Sequence, residues 1–385
     1  MIETKRLYYE NAYQKEFDAV VVECREAKKG FHILLDESAF YPEGGGQPYD
    51  QGTINDIKVE EVHEKAGELL HYTKTAIDPG TKIHGKIDWN RRFDFMQQHS
   101  GEHMVSGLIC ERFHCDNVGF HLGSDVVTID FNTVVTEEQL LEIEEEANAL
   151  IWQNAQVEIT YPSPEELEKL PYRSKKELTG KVRIVRFPNA DLCACCGTHV
   201  SNTGEIGMVK FLSVEKCREG IRAEMICGKR VLNYMNLINE QNRKVSVLLS
   251  AKPAHTAEAV ERLYDENTRN KSKVARMEEE LFAIEAERHV DQGNAILFKE
   301  NLEADSVRKL TDLVMHSCKG RCIVFSDNQD GSFKYAIGEI DGDLRQFTKD
   351  MNTALNGRGG GKPFFVQGSV RASKEDILDF IKSRG

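Results

Sequence analysis

Residues 94–113 read DFMQQHSGEHMVSGLICERF and place two histidines four positions apart among regularly recurring apolar residues. This spacing predicts a helix with Asp94 as its N-cap. Gly101 and Gly107 argue against a helix, because each costs roughly 1 kcal/mol relative to alanine in a helix interior. On a helix, both imidazoles would project from one face about one turn apart, where they can bind one zinc ion. The residues whose spacings suit a helix are Phe95, His99, His103, Val105 and Ile109.

The histidine pair differs from the HExxH motif of zinc proteases. In that motif a glutamate follows the first histidine directly. Here Ser100 follows His99, and the glutamate, Glu102, stands just before His103. A protease interpretation therefore lacks its general base.

A second cluster of possible metal ligands lies in CACCGTH (193–199). Cys195 and His199 form a C-x3-H element, and the glycine between them suits a turn that brings both side chains to one point. Together with the helical histidines they make four nitrogen and sulfur ligands, the number that a tetrahedral zinc ion prefers. Spacing alone leaves Cys193 and Cys196 as rival ligands. These two also fit a redox CxxC motif, although no thioredoxin-like βαβ pattern surrounds them.

Composition limits the compartment and the general class of partner. The 385 residues carry a net charge of -13, which argues against indiscriminate binding to phosphate backbones. One segment, RSKKELTGKVRIVR (173–186), nevertheless has six basic residues and one acid, typical of either a solvated hairpin or a nucleic-acid contact. No signal peptide and no run of 18 apolar residues is visible, so we expect a cytoplasmic protein without membrane spans. In that compartment, ten cysteines are more typical of free thiols or metal ligands than of disulfides.

The pattern of apolar residues and turn signals predicts an α+β protein in four parts. Residues 1–90 are β-rich and should form a β-barrel-like domain. Its glycine-rich loop, YPEGGGQPYDQG (41–52), is either a tight connection or a close approach of the backbone to another group. Residues 91–228 should form an α+β domain with the candidate zinc site. Residues 229–300 should be a helical hairpin or short coiled coil, followed by a small α/β domain over 301–385.

Two helices carry further signals. Thr136 and Gln139 stand in capping-box spacing at the start of an amphipathic run. Farther along, residues recur at alternating steps of three and four, which indicates a heptad seam with two polar interruptions. The residues of this seam are Val260, Leu263, Asn267, Asn270, Val274, Met277, Leu281 and Ile284.

The tail contains GRGGGK (357–362), whose flexible backbone lies between Arg358 and Lys362. It is not a Walker P-loop, because Asn356 stands at the position of the first glycine and Pro363 replaces Ser or Thr. The segment is either a contact to an RNA backbone or a glycine-rich turn between strands.

These motifs together resemble the editing domain of alanyl-tRNA synthetases and the free-standing alanyl-tRNA editing proteins of the AlaX family, in its long form. The tail resembles the C-terminal domain of the same synthetases, so the resemblance covers nearly the whole chain. The segments that carry it are EGGGQPYDQG (43–52), HSGEH (99–103), VVTIDF (126–131), CCGTHVSNTGEIG (195–207) and GRGGGKPFFVQGSV (357–370).

The resemblance implies a hydrolase that removes a wrong amino acid from alanine tRNA. The bond cleaved is the ester to the 3′ adenosine, with serine as the chief amino acid and glycine as a second candidate. The resemblance also implies mischarged alanine tRNA as the partner and a homodimer formed through residues 229–385. One zinc ion per chain would be held by His99, His103, Cys195 and His199.

By the same resemblance, Glu102 and Asn117 are candidates for the catalytic pocket. A site that hydrogen-bonds the serine hydroxyl needs polar side chains near the zinc, and Thr128 is a third candidate for that reason. The synthetases commonly carry threonine at the position of Glu102 and glutamine at the position of Asn117, so this chain departs from the family there. An ordinary strand residue is the alternative for Thr128. The candidate contacts to substrate or tRNA are Gly44, Gly45, Gly46 and Gln47 in the loop and Arg358, Gly359, Gly360, Gly361 and Lys362 in the tail.

Two other functions fit part of the pattern. A zinc hydrolase for small esters or amides would not need the basic segment or the tail. A non-catalytic tRNA-binding protein would use its zinc for structure alone. Within the hydrolase interpretation, four protein ligands favour a zinc ion that positions the substrate over one that activates water.

Overall fold

The computed structural model describes residues 3–28, 30–174 and 181–384 and divides into two compact units, Met1–Arg243 and Lys244–Gly385. Both units combine helices with sheets, so the predicted α+β class is confirmed. The finer division into four domains stays a prediction. Residues 175–180, the middle of the basic segment, lie outside the described part. None of the described helices combines the length and apolar character that a membrane span requires.

The first unit begins with six antiparallel strands that close into a barrel around a buried apolar core. A short helix, Leu7–Glu10, and a parallel pair formed by Lys5–Arg6 and Glu37–Ser38 lie beside these strands in the chain. The barrel strands are Glu16–Ala27, Gly30–Leu35, Gly52–Ile54, Ile57–Lys65, Glu68–Thr73 and Lys82–Ile87.

The glycine-rich loop is both a tight connection and a close approach. Gly44 and Gln47 exchange two backbone hydrogen bonds of 3.1 and 3.0 Å across the turn. The two residues between them, Gly45 and Gly46, have φ angles of +59° and +86°, a conformation that favours glycine. A Cβ atom on Gly46 would lie 2.5 Å from the ring of Phe120, so this turn can pack on that ring only as glycine.

A central helix, Trp89–Phe113, follows the last barrel strand directly. Its N-cap is Asp88, whose side chain accepts a hydrogen bond of 3.2 Å from the backbone N–H of Arg91. The prediction of Asp94 as N-cap is therefore wrong. Asp94 lies inside the helix and binds Arg230, with a shortest contact of 2.7 Å.

The two helical glycines lie where neighbouring segments come closest. A Cβ atom on Gly101 would lie 2.2 Å from Sγ of Cys227, and one on Gly107 would lie 2.0 Å from the carbonyl oxygen of Ala190. Glycine lowers the helix propensity at these two positions, but only glycine lets the neighbouring segments pack so closely against the helix.

A buried ion pair joins the central helix to the barrel. Arg92 and Asp50 are both fully buried and hydrogen-bonded to each other. Arg92 also donates to the carbonyl oxygens of Ala12 and Ala39 at 2.8 and 2.6 Å. The guanidinium thus has several acceptors, which compensates for its removal from water.

The rest of the first unit packs around the central helix in one apolar core. A four-stranded sheet has the order Val209–Cys217, Gly220–Cys227, Val127–Phe131 and Asn117–Leu122. The helix Glu137–Trp152 begins with the predicted capping box of Thr136 and Gln139, which is confirmed. A three-stranded sheet has the order Glu158–Thr160, Ile184–Phe187 and Asp191–Ala194, and the short helices are Pro164–Leu167 and Thr203–Ile206.

The helix Lys229–Leu248 includes the boundary between the units. The second unit contains a five-stranded sheet in the order Ala295–Glu300, Cys322–Asp327, Phe333–Gly338, Phe365–Val370 and Arg358–Lys362. Only the first two of these strands are parallel to each other. The helices of this unit are Pro253–His255, Thr256–Arg288, Ala304–Cys318, Arg345–Ala354 and Lys374–Arg384.

The predicted heptad seam lies along the helix Thr256–Arg288 and is exposed. Another face of this helix is buried through Phe282 and Ala286, which belong to the core of the second unit. The apolar residues of the seam are between 48% and 62% exposed: Val260, Leu263, Val274, Met277, Leu281 and Ile284.

Candidate metal centre

Four possible metal ligands from two distant segments meet beside the central helix. His99 and His103 project from that helix, with ring centroids 5.2 Å apart. Cys195 and His199 belong to the loop that follows the strand Asp191–Ala194. One ligand atom from each of the four residues lies within 4.8 Å of all the others. The structure thus brings together the residues that the split H-x3-H and C-x3-H spacing singled out.

The chemistry of this cluster fits a zinc ion. Nε2 of His103 and both ring nitrogens of His199 are buried and have no hydrogen-bond partner among the described residues. Buried polar atoms are rarely left unpaired, so lone pairs that converge on one point indicate a ligand there. Three imidazole nitrogens and one thiolate make four ligands of the kinds that zinc binds in tetrahedral sites.

The protonation states in the cluster also suit a metal. Burial by itself raises the pKa of the Cys195 thiol, but the surrounding His99, His199 and His103 lower that pKa well below its usual range. Burial lowers the pKa of His199 to about 3, which makes this imidazole neutral at physiological pH. A thiolate and a neutral imidazole are the forms in which these side chains bind metals.

A carboxylate and a guanidinium orient His103. Nδ1 of His103 lies 2.7 Å from Oδ2 of Asp191, and Arg173 donates to both oxygens of this carboxylate at 2.8 Å. Burial disfavours charge on His103, yet the Cys195 thiolate and Asp191 raise the pKa of His103 well above its ordinary value. A metal at Nε2 would displace the proton held there, while Asp191 keeps the ring in place.

An amide from the barrel orients the other helical histidine. Nδ1 of His99 lies 2.9 Å from Oε1 of Gln47, whose side chain is fully buried. The remaining nitrogen, Nε2, lies 3.5 Å from Sγ of Cys195. Each helical histidine therefore presents Nε2 to the cluster and holds Nδ1 in a hydrogen bond.

The loop that carries Cys195 is fixed by a residue of the basic segment. Arg183 is buried and donates from Nη1 to the carbonyl oxygens of Cys195 and Gly197 at 2.7 and 3.1 Å. A Cβ atom on Gly197 would lie 2.2 Å from Cε1 of His99, so this close approach requires glycine. Arg183 and Arg173 are thus engaged inside the protein, although the sequence suggested a solvated or RNA-facing segment.

The two other cysteines of CACCGTH lie at the edge of this arrangement. Cys193 is buried and can form a second possible ligand group with His103 and Asp191. In that group the hydrogen bond between His103 and Asp191 uses Nδ1, so the group shares its histidine with the first cluster. Cys196 is exposed and lines the neighbouring cavity.

A cavity of about 520 Å³ opens beside the cluster. The turn at Gly45 and Gly46 lines it together with the central helix, the strand Asn117–Leu122 and the metal loop. Its lining residues include Gly45, Gly46, His99, Glu102, His103, Phe120, Arg173, Cys193, Cys195 and Cys196.

Behind the cavity wall, Glu102 belongs to a buried polar network. Oε1 of Glu102 accepts hydrogen bonds from Ser106 Oγ at 2.8 Å and from Asn117 Nδ2 at 2.6 Å. Oδ1 of Asn117 is buried and has no partner among the described residues. The network therefore includes an acceptor to which none of the described residues donates a hydrogen bond.

The remaining residues that sequence singled out lie elsewhere. Thr128 alternates with Val127 and Ile129, which enter the core, so its side chain lies on the opposite face of the sheet and away from the cluster. Gly44 helps to close the turn of the glycine-rich loop. Residues 358–362 form an exposed strand of the second unit, with cavities of about 460 and 320 Å³ along it.

Sequence reasoning missed the partners of the metal ligands. It placed Gln47 among substrate contacts, and it gave no role to Asp191 or to Arg173 as an individual residue. Gln47 and Asp191 are 52 and 88 positions from their histidines, so no local spacing connects them. The one available signal was the position of Asp191, two residues before the cysteine cluster.

Comparison with known proteins places these features in a family context. Two family models match: the threonyl and alanyl tRNA synthetase second additional domain over residues 182–222, and class II (A) tRNA synthetases over residues 3–91. The alanyl-tRNA editing protein AlaX-L of Pyrococcus horikoshii is 28% identical over 404 residues, which cover 97% of this chain and 96% of that protein.

Two further relatives match over different shares of their length. The alanyl-tRNA editing protein Aarsd1 of Bos taurus is 34% identical over 272 residues, 66% of this chain and 61% of that protein. An alanine–tRNA ligase of Pyrococcus furiosus is 31% identical over 388 residues, 96% of this chain and 42% of the ligase. The chain therefore spans less than half the length of that ligase.

Proposed function

Because the chain belongs to the AlaX family of alanyl-tRNA editing proteins, we propose that it hydrolyses mischarged alanine tRNA, releasing serine from the 3′ adenosine. One observation carries this proposal. A cavity beside four convergent metal ligands is lined by Glu102, whose carboxylate is hydrogen-bonded to the buried Asn117, and Oδ1 of Asn117 has no partner among the described residues. Such a cavity can bind the aminoacyl group at the 3′ end of the tRNA and distinguish a side chain with a hydroxyl group from one without it.

The network supports serine as the preferred amino acid. A pocket sized for alanine rejects serine only about 100-fold, so accuracy requires a second, hydrolytic site. That site must spare alanine. A site that hydrogen-bonds a hydroxyl disfavours the analogue without it by about 10⁴-fold or more, since its own buried groups would stay unpaired. Glu102 and Asn117 supply such groups, and glycine, which lacks the hydroxyl, becomes the weaker substrate.

We propose zinc as the metal, held by His99, His103, Cys195 and His199. When bound, zinc would supply a positive charge that orients and polarises the aminoacyl end of the substrate. The chain's own residues do the rest of the positioning. Gln47 and Asp191 hold the imidazole rings, and Arg183 holds the loop.

The second unit supports a role in tRNA binding. The strand Arg358–Lys362 is exposed along its whole length, and three glycines leave its backbone open to close approach. Arg345 and Lys349 line one of the two cavities along this strand, and Arg308 and Lys362 line the other. We assign this strand and its basic neighbours to the phosphate backbone of tRNA.

The exposed seam supports a homodimer. Apolar residues at heptad spacing on an exposed helix face pack against the same residues of a second helix in a coiled coil. All ten cysteines are free, which supports a reducing compartment, the cytoplasm, as the place of the reaction.

A deacylation assay tests the function. The purified chain is incubated with seryl-, glycyl- and alanyl-tRNA for alanine, each with and without a zinc chelator. We expect fast loss of serine, slower loss of glycine and little loss of alanine, with the chelator reducing all rates. A small-ester hydrolase would also cleave seryl adenosine without the tRNA body at a similar rate. A non-catalytic binding protein would retain tRNA and leave every ester intact.

A further inference from the structure

We propose that Gln47 is a positioning residue through which the glycine-rich turn of the barrel sets the tautomer of His99 and thereby the affinity for the metal. The inference rests on the metal site proposed above. It assigns the loop a task that differs from substrate contact, because Gln47 is fully buried and bonded on both ends of its amide group.

The orientation of the amide group follows from one backbone donor. Oε1 of Gln47 accepts the backbone N–H of Thr198 at 3.1 Å, and Nε2 donates to Oγ1 of the same threonine at 2.8 Å. A backbone N–H can only donate, so the amide atom that faces it must be the oxygen. The alternative amide orientation would place an NH₂ group against an N–H group and is excluded on that ground.

The orientation of the amide then determines the tautomer of His99. The same Oε1 atom lies 2.9 Å from Nδ1 of His99, and a carbonyl oxygen can only accept. Nδ1 must therefore carry the proton. In a neutral imidazole this leaves the lone pair on Nε2, the atom that lies 3.5 Å from Sγ of Cys195. The backbone N–H of Thr198 thus determines, through the amide of Gln47, which nitrogen of His99 carries the proton, and it leaves Nε2, the nitrogen that faces the cluster, able to bind the metal.

The backbone geometry holds this arrangement in place. The paired hydrogen bonds between Gly44 and Gln47 fix the turn, and the positive φ angles of the two intervening glycines permit it. On the other side, a Cβ atom on Gly197 would lie 3.0 Å from Oε1 of Gln47. Three segments of the chain therefore meet at one amide group, and a loss of that group should loosen the metal site.

Three full-length variants test the inference. Gln47→Met fills a similar volume without hydrogen bonds, whereas Gln47→Glu keeps an acceptor for both N–H groups and lets the threonine hydroxyl turn to donate. Thr198→Val, a matched control, removes the bond to Nε2 and keeps the backbone donor that sets the amide orientation. Zinc affinity is measured without tRNA, by competition with a chromophoric chelator, and the absorption spectrum of the cobalt form reports the ligand set.

We expect Gln47→Met to bind zinc roughly 10–100-fold more weakly, since loss of a group that orients a ligand typically has this effect. Gln47→Glu and Thr198→Val should stay within a few-fold of the unsubstituted chain. Equal zinc affinity of Gln47→Met and the unsubstituted chain would overturn the inference. If the methionine variant does not fold, nitrogen NMR of the labelled, zinc-loaded chain decides, because a His99 protonated at Nε2 would also overturn it. Both measurements are independent of deacylation, so failure of the proposed activity is recognised separately.

Discussion

We expect a substitution of Glu102 to have the most direct effect on the selectivity for the hydroxyl group of serine. Its carboxylate lies at the cavity and binds Ser106 and Asn117 through Oε1. We predict that Glu102→Gln lowers kcat/KM for seryl-tRNA by roughly 10–100-fold, because a hydrogen bond to a charged group contributes about 1.5–3 kcal/mol. The value of kcat/KM for alanyl-tRNA should change little, so the ratio of kcat/KM for seryl-tRNA to that for alanyl-tRNA should fall.

The control for this prediction is Glu111→Gln, which neutralises an exposed carboxylate near the end of the same helix. Zinc content should be normal in both variants. An unchanged serine-to-alanine ratio in Glu102→Gln would exclude the network as the source of selectivity.

At the level of single residues, sequence identified the candidate ligands and not their partners. The pair His99 and His103 could be identified from sequence because one helix turn brings the two side chains together. The C-x3-H element could be identified because its spacing suits a single turn of a loop. The choice of Cys195 over its neighbours came from the resemblance, since spacing left three thiols equal. Gln47 and Asp191 could not be assigned, because a hydrogen bond to an imidazole depends on tertiary packing that leaves no periodic trace.

The central helix shows how an element can contradict its own propensities. An ordinary Gly→Ala change in a helix adds about 1 kcal/mol of stability. At Gly101 we predict the reverse, because the new Cβ atom would lie 2.2 Å from Sγ of Cys227. Overpacking of this kind costs about 1–3 kcal/mol, which should lower the Tm of this unit by roughly 2–10 °C.

A double-mutant cycle separates this steric effect from other causes. In Cys227→Ala the sulfur is gone, and adding Gly101→Ala should then cost much less than it does in the unsubstituted chain. A rise of Tm in the single Gly101→Ala variant would show that the helix and the sheet can move apart freely.

The barrel contains a pH-sensitive element in the strand Glu68–Thr73. His71 is fully buried, where Nδ1 lies 2.9 Å from the carbonyl oxygen of Ile33 and Nε2 lies 2.8 Å from Oγ of Ser38. Burial lowers the pKa of His71 to about 4, against about 6.5 in an unfolded chain. Between these values the unfolded state binds a proton that the folded state excludes.

We therefore predict that stability falls as the pH drops from about 6.5 towards 4, by an amount on the order of 3 kcal/mol for this group. Above pH 6.5 the folded and unfolded states both hold neutral imidazole, and the effect is absent. His71→Gln, which keeps polar atoms and does not titrate, should show a smaller fall of Tm between pH 7 and pH 5. The same substitution at the exposed His121 serves as control and should leave the fall in place.

Elements and their buried faces were more predictable from sequence than the residues at which the elements begin. The capping box at Thr136 depends on neighbours three residues apart, and the structure has it as expected. The start of the central helix was misplaced because Asp94 and Asp88 are both good caps, and only the end of the last barrel strand decides between them. The sheet face on which Thr128 lies could be predicted from sequence, because Val127 and Ile129 are apolar and successive side chains of a strand point to opposite faces.

For the whole molecule, the acidic total charge means that tRNA must be held by local basic groups. We predict that the double variant Arg358→Gln/Lys362→Gln binds tRNA about tenfold more weakly. The slope of log K against log salt should fall by roughly 1–2, because each lost phosphate contact removes nearly one unit. Deacylation at saturating tRNA should keep its rate, since these residues lie outside the cavity.

Neutralising Lys271 and Arg276 in the same unit gives the matched control, because both are exposed and lie on the seam helix instead of the glycine strand. An equal loss of affinity in the control would mean that general charge, and not the strand Arg358–Lys362, attracts tRNA.

The exposed seam on the helix Thr256–Arg288 determines what we expect of the assembled protein. Six apolar side chains face solvent along this helix, while Phe282 and Ala286 on another face already pack within their own unit. A second copy of the helix would bury the seam, and Asn267 and Asn270 would fix its register, as polar residues do at core positions of coiled coils. We predict a dimer in sedimentation equilibrium that Leu281→Asp converts to monomer, because the substitution places a charge within the apolar contact, at the most exposed apolar residue of the seam. Val290→Asp, a similar change at an exposed position beyond the seam, should leave the dimer intact. A Leu281→Asp protein that still sediments as a dimer would place the contact on another surface of the chain.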